Sequence, residues 1–121
     1  MPLDVICELQ SVWVTAAAKA PLPGYVCIVA KRHVEEPYQL SDGDRSLFWE
    51  EALSVAEALA NGLQPKKMNY EIHGNTIPHL HLHLFPRFAG DPFEGRPIDG
   101  QALAFTRTAA DLEALADAIT R

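Results

Sequence analysis

Three histidines separated by single leucines, His79-Leu80-His81-Leu82-His83-Leu84-Phe85, are the residues of this chain best suited to chemistry. Side chains alternate faces along an extended strand. The three imidazoles therefore share one face and the leucines the other, with neighbouring imidazoles about 7 Å apart. Histidine titrates near neutrality and has two distinct ring nitrogens. If an acceptor holds one nitrogen, the other can act as a nucleophile. A protonated neighbour can bind a phosphate oxygen and stabilise the negative charge that builds during phosphoryl transfer. The competing use is metal binding, because imidazole is a common ligand of zinc, copper and iron. A lone strand histidine is more often packed or exposed than catalytic, but three on one face with interleaved leucines are hard to read that way. A three-histidine metal site normally gathers ligands from more than one element, and His33 is the only histidine remote from the row. Asn75 and Thr76 just before the row, and Arg87 just after it, offer an amide, a hydroxyl and a guanidinium as donors for phosphate oxygens. These neighbours favour phosphorus chemistry, with the metal site kept as the rival.

Several elements must position that row. Val5 to Leu9 and Ser11 to Thr15 read as short strands. Pro21-Leu22-Pro23-Gly24 is turn chemistry, in which proline fixes φ and glycine tolerates positive φ. Tyr25 to Ala30 reads as a strand forming a hairpin with the one before. A long helix follows, with Ser41 as candidate N-cap and Asp42 and Asp44 in the first turn. Phe48, Ala52, Val55, Ala56, Leu59 and Leu63 recur at helical spacing, and Asn61-Gly62 supplies a stop. Lys67 to Ile72 and His79 to Phe85 read as strands joined by a loop at His73 to Pro78. The stretch from Arg87 to Gly100, rich in Pro, Gly and Asp, reads as an irregular loop. A helix beginning near Thr108 carries an apolar stripe of Leu112, Leu115, Ala116 and Ile119. The order β–β–β–α–β–β–α predicts an α+β fold with helices on one face of an antiparallel sheet.

Composition narrows the classes further. At 121 residues the chain is expected to be one domain, 1–121. Apolar residues at 48% and charged residues at 21% exclude a disordered chain. Ten basic against sixteen acidic side chains leave a net charge of −6, which argues against a general nucleic-acid coat. It leaves room for one anion in a local basic pocket. Cys7 and Cys27 form no C-x-x-C pair and give no zinc spacing; two free thiols are the expectation. Met1-Pro2-Leu3-Asp4 lacks the basic and apolar regions of a secretory signal, and no apolar run approaches the roughly 18 residues of a membrane span. The expected compartment is the cytoplasm.

The row resembles the His-φ-His-φ-His-φ-φ signature of the histidine triad (HIT) superfamily, where φ is apolar. Asn69-Tyr70-Glu71-Ile72, Gly74-Asn75, Pro78 and Pro86-Arg87 resemble a bacterial subgroup of it. Pro23-Gly24-Tyr25-Val26-Cys27-Ile28-Val29-Ala30-Lys31-Arg32-His33-Val34 is similar to the family's Pro-Gly turn, strand and basic-His segment. The likeness covers most of residues 10–100. It implies a HIT-like fold: an antiparallel sheet of about five strands with one long helix and a C-terminal helix on it. It also implies a two-fold homodimer and hydrolase or transferase chemistry at the α-phosphorus of a purine nucleotide, without cofactor or active-site metal. By position, His81 is the nucleophile that would form a nucleotidyl-histidine, and His83 contacts the phosphate. His79 supports the array by hydrogen bonding, with His33 as its candidate partner. Asn75 and Thr76 match positions near the α-phosphate and leaving group. Read from the residues themselves, Arg87 either reaches a phosphate or pairs with one of the Asp residues after it. The chain departs from the pattern at Tyr25, where several relatives have histidine. It departs again at Ala16, Ala17 and Ala18, where relatives often carry an acid or amide that binds ribose. These departures motivate one alternative, a nucleotide-binding module with negligible turnover. The three-histidine metal enzyme is the other.

Overall fold

The computed structural model describes residues 1–120. In chain order the elements are β1 (Val5–Glu8), β2 (Val12–Thr15), β3 (Lys19–Ala20), β4 (Val26–Ala30), α1 (Asp42–Leu63), β5 (Lys67–Ile72), β6 (His81–Arg87), β7 (Phe105–Thr106) and α2 (Ala109–Thr120), with a short 3-10 turn at Pro37–Gln39. Five strands form one antiparallel sheet in the order β1-β2-β4-β6-β5. The predicted α+β class, its five strands and its two helices are all found.

One face of that sheet is apolar by alternation. Val12 and Val14 of β2, Val26, Ile28 and Ala30 of β4, and Leu82 and Leu84 of β6 are buried, and α1 covers them with Phe48, Ala52, Val55, Ala56 and Leu59. Leu80, just ahead of β6, joins the same core. Each fully buried leucine stabilises the fold by about 1.5–3 kcal/mol. A one-residue slip of β6 would expose the leucines and drive the histidines into the core, so the leucines fix which way the histidines face. His79 precedes the strand proper, but its neighbour Leu80 is tied on both sides, by Leu80 N–H to the Val34 carbonyl and Ala30 N–H to the Leu80 carbonyl. Beyond Phe85 the strand continues through Pro86 to Arg87, paired there with β5 alone.

The helices are set by their caps and small residues. Ser41 caps α1, its Oγ accepting from the Asp44 N–H at 3.3 Å. The helix passes the expected stop at Asn61-Gly62 and ends only at Gln64, which takes a left-handed φ of 56°. Gly62 serves a different purpose: a Cβ there would lie 3.3 Å from the Ala118 Cβ of α2, so glycine lets the two helices approach. Gly24 likewise differs from expectation. It is absent from the glycines with positive φ, and what requires it is space, because a Cβ would lie 2.9 Å from Leu63 Cδ1 and 3.1 Å from Pro86 Cγ. At α2, Thr108 Oγ1 accepts from the Asp111 N–H while the Asp111 carboxylate accepts from the Thr108 N–H, a reciprocal cap.

The region after Arg87 is more organised than its composition suggests. β3 and β7 pair as a second, two-stranded sheet, and Leu22, Phe85 and Phe93 form a small core beside it with Tyr25, Ile98 and Phe105 against them. Arg107, buried although charged, donates from Nε to the Ala17 carbonyl at 3.0 Å and from Nη1 to the carbonyls of Pro23 and Tyr25 at 3.0 and 2.6 Å. The C-terminal segment is thereby bolted to the turn that leads into β4.

Candidate active site

On the sheet face away from α1, each of the three histidines has one nitrogen occupied by a named partner. His81 donates from Nδ1 to the His79 carbonyl at 2.6 Å. Because a carbonyl only accepts, a proton sits on Nδ1, and in the neutral ring the lone pair is therefore on Nε2. His79 donates from Nε2 to the Ala30 carbonyl at 2.6 Å. His83 meets the Tyr25 hydroxyl through Nδ1 at 2.7 Å. The rings of His81 and His83 stand edge to face with centroids 4.9 Å apart. Burial, then the neighbouring His81 and His73, pushes His83 down to about 4, so it is neutral at physiological pH. Burial also raises Tyr25 well above the ordinary phenol range, which keeps its hydroxyl protonated.

Two recesses meet at this row. The larger, about 760 Å³, is lined by Asn75 and Thr76 together with His81, His83, Glu71 and His73. The smaller, about 590 Å³, is lined by Trp13, Val29, Cys27 and His33 along with all three histidines of the row. His81, His83, Tyr25 and Ile77 border both. The structure thus brings Asn75 and Thr76 to the row from one side and His33 from the other. His33 is in ring contact with His79 at 5.5 Å, but His79 gives its hydrogen bond to Ala30 instead.

Arg87 is the exception among the sequence candidates. It lines neither recess at the histidines. Its guanidinium is buried and saturated by protein: Nε and Nη2 hold the Asp91 carboxylate at 2.9 and 3.2 Å, Nη1 reaches Asn69 Oδ1 at 2.8 Å and the Arg96 carbonyl at 2.9 Å, and Nη2 reaches the Phe93 carbonyl at 2.6 Å. The phosphate reading of Arg87 is corrected and its pairing with a following Asp is found: strand alternation continues past Phe85, but Arg87 lies at the far end of β6, where Asn69 of β5 and Asp91, Phe93 and Arg96 of the folded-back loop supply its acceptors.

Among the described residues no three His, Cys, Asp or Glu side chains converge into a cage for an ion. Cys7 and Cys27 are free thiols, and burial pushes Cys27 up to about 12. Three residues near the row, Tyr25, Cys27 and Glu71, were not given a role by sequence reasoning. Tyr25 contacts His83, and Cys27 is the β4 partner of His83 in the sheet register. Glu71 accepts from His73 Nε2 at 2.9 Å beside them. Alternation along Tyr25 to Ala30 places Tyr25 and Cys27 on one face, but only the pairing register puts that face against His83.

A five-stranded antiparallel sheet, a long helix on one face and a histidine row in a cleft on the other define the histidine triad class. The HIT domain family matches residues 1–90, and the chain belongs to it. Among solved structures, a histidine triad protein from Bradyrhizobium japonicum is similar, at 25% identity and a TM-score of 0.87, over 97% of this chain and 87% of that one. A histidine triad protein from Sinorhizobium meliloti 1021 shares the fold at 24% identity and a TM-score of 0.85, over 96% and 86% of the two chains. The "Protein hit" of Bacillus subtilis (strain 168) is 26% identical over 76 residues, 58% of this chain. The match spans 52%, about half, of that curated relative.

Proposed function

We propose that this protein is a nucleotide hydrolase or transferase acting at the α-phosphorus of a purine nucleoside monophosphate derivative, such as a dinucleoside polyphosphate or a nucleoside phosphoramidate. The observation that carries the reading is the His81 Nδ1–H bond to the His79 carbonyl, which leaves Nε2 as a free lone pair between two recesses. In the first step that lone pair forms a P–N bond to the α-phosphorus while the bond to the leaving group breaks, its electron pair leaving with the departing atom, which takes up a proton from solvent. In the second step water attacks the same phosphorus and gives up a proton to solvent, the P–N bond breaks, and the electron pair returns to Nε2. The product is the nucleoside monophosphate. His83 contacts a non-bridging phosphate oxygen, and Asn75 and Thr76 supply further donors on the same side. The more apolar recess with Trp13 takes the nucleoside, and the recess with Asn75 and Thr76 takes the leaving group.

Purified protein is expected to release AMP from such substrates, with His81→Asn reducing release to background and EDTA leaving it unchanged. Wild-type turnover in His81→Asn would refute the nucleophile. Activity lost to EDTA and restored by Zn²⁺ would favour a metal enzyme, and tight AMP binding without product would favour a binding module.

The same reading includes a two-fold homodimer. β5 lies at the sheet edge, and Tyr70 on it and Leu53 on α1 are large apolar residues about half exposed. Light scattering is expected to return twice the chain mass; a monomer at micromolar concentration would refute this part.

A further inference from the structure

We infer that Tyr25 is a positioning residue of the active site: its hydroxyl donates to His83 Nδ1, fixes His83 as the Nε2–H tautomer, and so presents a neutral N–H donor to the substrate's phosphoryl oxygen. The inference rests on the nucleotide reading for its purpose, but its geometry stands apart from any substrate. The two atoms are 2.7 Å apart. A phenol is a stronger donor than a neutral imidazole N–H, and an imidazole nitrogen is the better acceptor, so the shared proton resides on oxygen. Nδ1 then carries a lone pair and the ring's single proton is left on Nε2.

The surroundings hold this arrangement in place. Tyr25 is stacked on Phe85, centroids 4.6 Å apart and planes within 14°, and its ring lies 5.8 Å from that of His83 at an angle of 27°. Behind it, Arg107 grips the Tyr25 carbonyl and the Pro23 carbonyl of the preceding turn. A buried guanidinium bound to three carbonyl oxygens resists displacement, because moving it would strand charge-assisted hydrogen bonds away from water. The strut therefore runs from Arg107, outside the family match, through the backbone of Tyr25 to its ring and on to His83. The other titratable groups around His83 are Cys27 on β4, Glu71 on β5, His73 just after it, and His81 on its own strand. Burial keeps His83 neutral and Tyr25 protonated, consistent with a donor that does not depend on a captured proton.

Tyr25→Phe tests this with little risk to folding, since it keeps the ring and its stacking. Histidine ¹⁵N shifts of the wild-type protein at neutral pH are expected to show His83 with a proton-free Nδ1 and a protonated Nε2. In Tyr25→Phe that single pattern is expected to give way to mixed or reversed tautomers. With the AMP-releasing substrate, kcat is expected to fall about 10–100-fold with KM little changed, the size typical of losing an outer partner that orients an active imidazole. A wild-type His83 protonated on Nδ1, or a Tyr25→Phe variant with unchanged tautomer and unchanged kcat, would overturn the inference. A wild type with the expected tautomer but no turnover on any nucleotide would overturn the proposed function and leave the Tyr25–His83 assignment standing.

Discussion

Replacing Arg87 with leucine separates two roles that the residue's place after the histidine row invites one to confuse. The substitution removes five hydrogen bonds: two to the Asp91 carboxylate and one each to Asn69, Arg96 and Phe93. Asp91 retains the Phe88 and Phe93 N–H bonds at 3.1 and 2.8 Å, so it keeps partners but loses its counter-charge in a site where its side chain is almost fully covered. Breaking such a pair from one side costs about 3–5 kcal/mol, because the remaining charge is left uncompensated. Against a total stability of about 5–15 kcal/mol the variant still folds at room temperature. Its Tm should fall by on the order of 10–20 °C for a domain of this size. Denaturant midpoints and melting curves measure the loss, and AMP release per folded molecule measures the rest. Because the guanidinium touches neither histidine nor recess, turnover per folded molecule should remain near wild type. The double variant Arg87→Leu, Asp91→Asn should recover part of the stability by removing the stranded charge. An unchanged Tm together with a hundredfold loss of turnover would refute this reasoning and return Arg87 to the phosphate.

The pH dependence of stability should show two separate losses. In the folded protein His83 sits at about 4 against an ordinary 6.5, so the unfolded chain takes up a proton that the folded one refuses. Stability therefore falls as pH drops from about 6.5 to 4 and gains no further loss from this group below that. Asp91 sits at about 2 against an ordinary 3.8, held down first by its Arg87 hydrogen bond and, against some opposing burial, by the Phe93 and Phe88 N–H groups. Its contribution is complete above the ordinary carboxylate range and is lost as pH falls toward 2. Urea midpoints measured from pH 7 to 2 test both: His83→Gln should flatten the upper loss and Arg87→Leu the lower one. A wild-type profile flat between pH 7 and 4 would contradict the buried neutral His83.

The parts of this molecule legible in its sequence are those with local causes. Alternation of His and Leu separates a core face from a site face because the pleat repeats every two residues, and Leu80, Leu82 and Leu84 are buried accordingly. Ser41 announced α1 because its Oγ has only to reach three residues along the chain. What escaped depends on distant partners. Gly62 reads as a helix stop until α2 packs across it, and Gly24 reads as a turn glycine until Leu63 and Pro86 close over it. Arg87 reads in the sequence as either a phosphate donor or the partner of a following Asp, and nothing in the sequence marks Arg107. Arg87 is consumed by near neighbours, the Asp91 carboxylate four residues on and the Phe93 carbonyl six on, whereas Arg107 is consumed by carbonyls 82 to 90 positions away that only the tertiary fold delivers. The role of Tyr25 needed the β4–β6 register, which no short-range pattern encodes.

That division also separates reactivity from selectivity. The histidines, Asn75 and Thr76 all lie within the stretch that matches the family. A wall of the larger recess, from Pro97 to Leu103, lies beyond it, in the segment that Arg107 ties to the Tyr25 turn. A change in Asp99 or Gln101 would alter what sits beside the histidines without touching the Nδ1–H bond that frees His81 or the sheet register that aims it. A change at Arg107 would instead act on both, since it releases the wall and the Tyr25 backbone together. On the proposed function, the C-terminal segment is thus where the leaving-group range diverges while His81 is kept as the nucleophile. Exchanging Pro97 to Leu103 for an unrelated loop should move substrate preference and spare attack by His81.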